Sequence, residues 1–189
     1  MAWLIPGTRP NPDDIYSRSI DGKVQPLDER ADVRGCAQPL GEELARDRGA
    51  FFGSILQTLN HIAVADTIWL HRFSQHPDAS GLRESLAAFP RPDSLRQELA
   101  GSLRDLQHYR ERLDMVILDW SETLASEQMA STLVYHNMAG QSFSRNFGHL
   151  VQHFFNHQTH HRGQASTLLF QAGVDIGITD LLAVIPREA

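Results

Sequence analysis

The sequence has a single cysteine, Cys36, so it cannot close a disulfide within one chain, and a reducing compartment suits it. It has no run approaching the roughly 20 apolar residues that a membrane helix needs. Its opening Met1-Ala-Trp-Leu-Ile-Pro6 has neither the basic stretch nor the long apolar run of a signal peptide. These absences predict a cytoplasmic protein with no membrane partner. A basic stripe is lacking too: the formal net charge is −6, and nucleic-acid binders generally carry clustered Lys and Arg. The arginines between Arg83 and Arg112 are interrupted by Glu84, Asp93, Glu98, Asp105 and Glu111, the alternation of a solvated helix face. No nucleic-acid partner is expected.

What the sequence does have is an ordinary globular composition, 41% hydrophobic and 21% charged, over 189 residues. That is enough chain for one domain with its own core. One residue type stands out, histidine, with ten copies, of which His149, His153, His157, His160 and His161 crowd into one short stretch.

Residues 1–41 hold Pro6, Pro10, Pro12, Pro26 and Pro39 together with Gly7, Gly22, Gly35 and Gly41. Pro and Gly at that density break long helices, so this part reads as an irregular N-terminal segment. A short helix at Asn11-Pro12-Asp13-Asp14 has a suitable cap, first-turn proline and acids. From Glu42 to about Gln75, Phe52, Ile55, Leu59, Ile62, Leu70 and Phe73 recur at helical spacing. A second apolar stripe holds His61, Val64, Ala65 and Ile68, which predicts a helix central to a bundle. Ser80 to about Ala88 reads as a short helix, closed by Phe89-Pro90-Arg91-Pro92. Ser94 and Gln97 resemble a capping box opening a long helix that ends near Trp120. Thr132-Leu-Val-Tyr-His136 with Ala139-Gly140-Gln141 predicts a small β-hairpin, and a last long helix is expected from about Ser144 to Ala172, with Gly173 after it. The fold class is therefore all-α, a helical bundle with a small β-hairpin before the last long helix.

In that last helix His149, His153, His157 and His161 follow at intervals of four, and any neighbouring pair shares a face. With Phe154 at zero and about 100° per residue, Phe147, Leu150, Val151, Ala165, Leu168 and Leu169 lie within roughly ±60°. His161 falls at about −20° and His157 at about −60°, inside that stripe, whereas His153, His160 and His149 fall beyond it. Histidine on an apolar face is more often a hydrogen-bonded core residue than a ligand, but two adjacent buried imidazoles need partners that a metal ion supplies. A third ligand has to come from another helix. His61 is a candidate, with His71, His76, His108 and His136 competing from positions that read as surface or loop.

The run Phe155-Asn-His-Gln-Thr-His-His-Arg-Gly-Gln164, continuing through Leu168-Leu-Phe-Gln-Ala-Gly-Val-Asp175, resembles the signature of the DinB family of metal-binding four-helix bundles. Arg48-Gly-Ala-Phe-Phe-Gly-Ser-Ile-Leu56, Asn60-His61 and Ile68-Trp69-Leu70 resemble the family's second helix. The resemblance spans about residues 42–186 and implies a DinB-type four-helix bundle over 42–189. It implies a metal site made of His61, His157 and His161. It also implies one divalent transition metal, zinc or nickel foremost, and a stress-response role for a homodimer acting on a small-molecule substrate. Some relatives are transferases or isomerases that use a low-molecular-weight thiol such as bacillithiol, mycothiol or glutathione. The expected activity is thus transfer of a metal-activated thiol to an electrophile. Metal-dependent hydrolysis and a non-catalytic metal-binding bundle are the alternatives. The family's long first helix, often with a Tyr-Asn-x-Trp-Ala pattern, has no counterpart in residues 1–41, which replace or distort it. No general base is identified. Asp66, five positions after His61, is expected to be a polar bundle residue. Arg162 is expected to cap a carbonyl rather than bind a substrate carboxylate, and Asn60 and Asn156 are candidates to orient ligand imidazoles.

Overall fold

The computed structural model describes residues 40–180 and Leu182. The expectations for residues 1–39, including the short helix at Asn11, lie outside them. In chain order the elements are α1 (Leu40–Ala45), α2 (Ile55–Phe73), α3 (Ser80–Ser85) with a 3-10 turn at Leu86–Ala88, α4 (Leu103–Glu122), α5 (Ser126–Ala130), β1 (Thr132–His136), β2 (Ser142–Asn146) and α6 (Phe147–Gln171). The all-α class with a hairpin before the last helix is what the sequence predicts. Among the described residues no helix is long and apolar enough to cross a membrane.

Three boundaries differ from expectation, each for a local physical reason. The helix expected from Glu42 to Gln75 is two helices, because Gly49 and Gly53 take φ of +65° and +84°, values a helix cannot use. Ser54 then caps α2 by accepting from the Gln57 amide at 3.1 Å. The helix expected from Ser94 begins only at Leu103, capped by Ser102. The capping contacts at Ser94 do form: its Oγ accepts from the Arg96 amide at 3.2 Å, and Gln97 Oε1 accepts from the Asp93 amide at 2.7 Å. The helix does not propagate because the Asn60 side chain takes the next backbone groups. Asn60 Oδ1 accepts from Leu99 and Ala100 amides at 2.8 and 3.1 Å, and Nδ2 donates to the Ala100 carbonyl at 3.0 Å. The last helix, expected from Ser144, starts at Phe147. Ser144 instead pairs with Val134 in the hairpin, and Asn146 caps α6 through the His149 amide at 2.9 Å.

The core lies where α2, α4, α6 and the inner face of the hairpin meet. One cluster packs Phe73, Trp120, Phe147 and Phe154 with Leu133 and Tyr135 of β1. The other packs Leu59, Ile62, Leu106, Ala165 and Leu168. Helix α2 is buried along 16 of its 19 residues, which fits the two apolar stripes read from its sequence and makes it the centre of the bundle.

A polar cluster sits on α2 in this core. Asp66, fully buried, pairs with Arg110 of α4 and accepts from Gln158 Nε2 of α6 at 2.9 Å, while Arg110 also pairs with Asp114. Thr67 and Tyr109 share a hydrogen bond of 2.8 Å beside it. Burial raises the Asp66 carboxyl to about 6, against the opposing pull of Arg110. Burial alone would lower the Arg110 guanidinium, but Asp114 and Asp66 outweigh it and hold the charge on. Because the folded value of Asp66 lies above its ordinary 3.8, this group's contribution to stability is full below the ordinary value and is lost as pH rises through about 6. Asp66→Asn removes that titration. In urea denaturation the stability of wild type relative to the variant should fall as pH is raised from acid to neutral; a difference that stays flat with pH would contradict the assignment.

Candidate metal centre

His61 comes from the middle of α2, and His157 and His161 come from successive turns of α6. Their donor nitrogens all lie within 4.8 Å of one another. Ring centroids are 4.3 Å apart for His157 and His161, 4.6 Å for His61 and His161, and 5.3 Å for His61 and His157. His61 and His161 are buried and His157 is half-buried, as the helical wheel predicts for the α6 pair.

The hydrogen bonds fix which nitrogens are free. His61 Nδ1–H donates to the Leu95 carbonyl at 2.9 Å, since a carbonyl only accepts, and its Nε2 keeps a lone pair. His161 Nδ1–H donates to Gln164 Oε1 at 2.7 Å, and its Nε2 faces His157 Nε2 at 3.1 Å. His157 Nδ1 is buried with no hydrogen-bond partner among the described residues. The Nε2 atoms of His157 and His161 face each other, and the Nδ1–H groups of His61 and His161 are committed to oxygens, so the three rings could present their free nitrogens to one divalent metal ion.

Electrostatics favour the neutral, ligating form. His157 is pushed down to about 3, by burial first and then by the imidazoles of His161 and His61. Burial lowers His61, partly offset by the Leu95 hydrogen bond, and lowers His161, partly offset by Gln164. Phe52 walls the cluster on one side, stacked on His61 at 3.9 Å and edge-on to His161 at 5.5 Å. Beyond Phe52 and Gln164 an open cleft of about 400 Å³ runs along α6, lined also by Phe51, Thr58, His160 and Leu168.

The other sequence candidates are placed elsewhere. His149, His153 and His160 are exposed, as are His108 and His136. His71 is half-buried and bonds the Phe89 carbonyl at 2.7 Å. His76 lies in the loop after α2 but not on the surface: it is 6% exposed, bonded to Ser131 Oγ at 3.0 Å and packed on the Phe147 ring, so it ties the end of α2 to the start of the hairpin. Asp66 faces the bundle, away from the triad, as expected. Arg162 donates to the side chains of Gln158 and Thr159. Asn156 is exposed. Asn60 acts one step removed from the histidine triad: it holds residues 99–100, and the same segment brings the Leu95 carbonyl to His61.

Gln164, Phe52 and the Leu95 carbonyl do not stand out as site residues in the sequence. Gln164 has a readable signal, since it follows His161 by three on one helix. The Leu95 carbonyl has none, because only tertiary folding brings it to α2.

The chain belongs to the DinB family, whose model matches residues 34–188. No curated protein and no solved structure matches it.

Gln164 is the partner that fixes the His161 ring, and loss of such a partner typically weakens metal binding by about 10- to 100-fold. Gln164→Leu should remain folded by circular dichroism and show a loss of roughly that size in competition with a chromogenic chelator. Unchanged affinity would mean that the ring is held by packing alone.

Proposed function

We propose that this DinB-family chain holds one zinc or nickel ion through His61, His157 and His161 and acts as a transferase that activates a low-molecular-weight thiol for attack on an electrophile. The observation that carries the proposal is the convergence of three neutral imidazoles with no fourth histidine, cysteine or carboxylate joining them among the described residues. Three protein ligands with an open position is the arrangement of catalytic rather than structural sites. When bound, the metal supplies a lowered pKa to a thiol or water that takes the open position.

The protein's own residues provide the rest. The Leu95 carbonyl and Gln164 hold the His61 and His161 rings with Nε2 facing the shared point. Phe52, only 6% exposed, excludes water from one side of the rings. The cleft beside Phe52 and Gln164 offers a small molecule an apolar wall from Phe51 and Leu168. Thiol is favoured over water because hydrolytic sites of this kind usually add a carboxylate as general base, and here Asp66 is committed to Arg110 and Gln158. A thiol, with an ordinary pKa of about 8.5, ionises on a metal without such a base.

Metal content by inductively coupled plasma mass spectrometry on tag-free protein is the first test, with His61→Ala, His157→Ala and His161→Ala alongside. The expected result is about one transition ion per chain, lost in each folded variant, and metal-dependent conjugation of bacillithiol, mycothiol or glutathione to a chlorinated electrophile. Folded protein with no retained or restorable metal overturns the site. Metal without turnover overturns the transferase and leaves a metal-binding bundle.

A further inference from the structure

Arg72, near the end of α2, is 7% exposed and sits over the Trp69 ring at 4.5 Å and the Tyr135 ring at 5.2 Å. Its Nε donates to the His136 carbonyl at 3.2 Å. No carboxylate among the described residues answers it. Two half-buried guanidinia of the bundle have carboxylate partners, Arg48 with Glu43 and Arg110 with Asp66 and Asp114, and half-buried Arg162 donates to the side chains of Gln158 and Thr159. Burial lowers the pKa of Arg72, Tyr135 opposes this, and the exposed Arg91 guanidinium lowers it further. Both terminal nitrogens of Arg72 lack a hydrogen bond among the described residues, yet neither is among the sealed, unpartnered atoms, so they reach solvent.

We infer that Arg72, flanked by Arg91 and walled by Trp69 and Tyr135, is a binding site for the carboxylate of a small organic molecule. Packing and the hairpin tie account for the ring contacts and the Nε bond. They do not account for a buried cation left without an anion among the described residues of a chain of net charge −6. With Nε used, the two terminal nitrogens remain as a planar pair of donors, the geometry that matches the two oxygens of a carboxylate. The aromatic walls suit an organic skeleton better than a bare inorganic anion.

The place of this site gives it a use. His61 and Arg72 are eleven positions apart on α2, which puts them about 20° apart around the helix and on the order of 16 Å apart along it. Between them Trp69 meets the exposed His153 ring at 5.1 Å, and His153 lies 5.9 Å from His157. The triad and Arg72 therefore stand at two ends of one strip between α2 and α6. The molecule that spans it is extended, with its anionic group remote from its reacting atom. Only this link to the triad rests on the transferase reading; the carboxylate site does not.

Succinate, which has carboxylates and no thiol, is the probe. Its binding to the full chain is followed by NMR of the Trp69 indole N–H in wild type, in His157→Ala, and in Arg72→Gln, Arg72→Lys and Arg91→Gln. The expected result is saturable binding in wild type that persists in His157→Ala, whatever the fate of the metal. It should weaken about tenfold or more in Arg72→Gln, with partial recovery in Arg72→Lys. Arg91→Gln, a surface change that leaves folding intact, should weaken it by a few-fold. Wild-type affinity retained in both Arg72→Gln and Arg91→Gln overturns the proposal, as does the absence of saturable binding to wild type. Stronger displacement by inorganic phosphate than by acetate also overturns it, by assigning the site to a phosphoryl anion.

Discussion

The fold hangs on a helix that is buried on nearly every side and still carries polar side chains. Asn60, His61, Asp66, Thr67 and Arg72 are all buried on α2, and of these only Arg72 keeps its terminal nitrogens open to solvent. Leaving one such group unsatisfied costs about 1–3 kcal/mol, against a total stability of about 5–15 kcal/mol for a domain. Each must therefore find its partner on another element. Asn60 binds the backbone at Leu99 and Ala100, His61 binds the Leu95 carbonyl, Asp66 binds Arg110 of α4 and Gln158 of α6, Thr67 binds Tyr109, and Arg72 binds the His136 carbonyl of β1. Apolar packing brings the helices together; these bonds decide at which height they stop.

That division explains what can be read from the sequence. Helix α6 has one apolar side and one exposed side, so a helical wheel alone separates His157 and His161 from His149, His153 and His160. The hairpin is equally legible, because the outward and inward alternation of Thr132 to His136 is local. Helix α2 lacks an exposed face, so its pattern offers no contrast by which His61 could be chosen over other candidates; only the resemblance to a family chooses it. The late start of α4 is not legible at all. Its early capping contacts at Ser94 and Gln97 are present, but they lose to three hydrogen bonds from Asn60, distant in the chain. The surface reading of His76 fails for a similar reason: its partners Gln128 and Ser131 arrive from α5 and the residue after it.

Asp66 and His61 show how one helix holds two kinds of buried polar group by opposite means. The Asp66 cluster joins α2, α4 and α6 through charges, although desolvation raises its carboxyl to about 6, so it is a costly tie. A buried ion pair of this type is weak evidence for stability; its clearest consequence is geometric, because Gln158 stands directly after His157 and donates its bond to Asp66. The register of α2 against α6, and with it the approach of His61 to His157 and His161, is constrained from that point. The histidines are accommodated the other way. Burial and nearby imidazoles strip them of charge, and in His61 and His161 the Nδ1–H is committed to an oxygen, which leaves an uncharged imidazole in the form a metal binds.

The chemistry of the reading follows from what stands near the triad and what does not. A site for water attack needs a base close to the metal, and Asp66, the wholly buried carboxylate of α2, is turned into the ion-pair cluster. A site for a thiol needs an open metal position, a partly dry wall and a way to hold the rest of the molecule. Phe52 provides the wall. On the α2–α6 strip Arg72 has no carboxylate partner among the described residues, while the protein as a whole is acidic. An acidic surface repels anions at long range, so an anionic ligand is retained only where that field is locally reversed. On the proposed reading, a metal ion at one end and the Arg72 guanidinium at the other would be two such reversals, and together they would select for a small anionic thiol or its acidic acceptor over a neutral one.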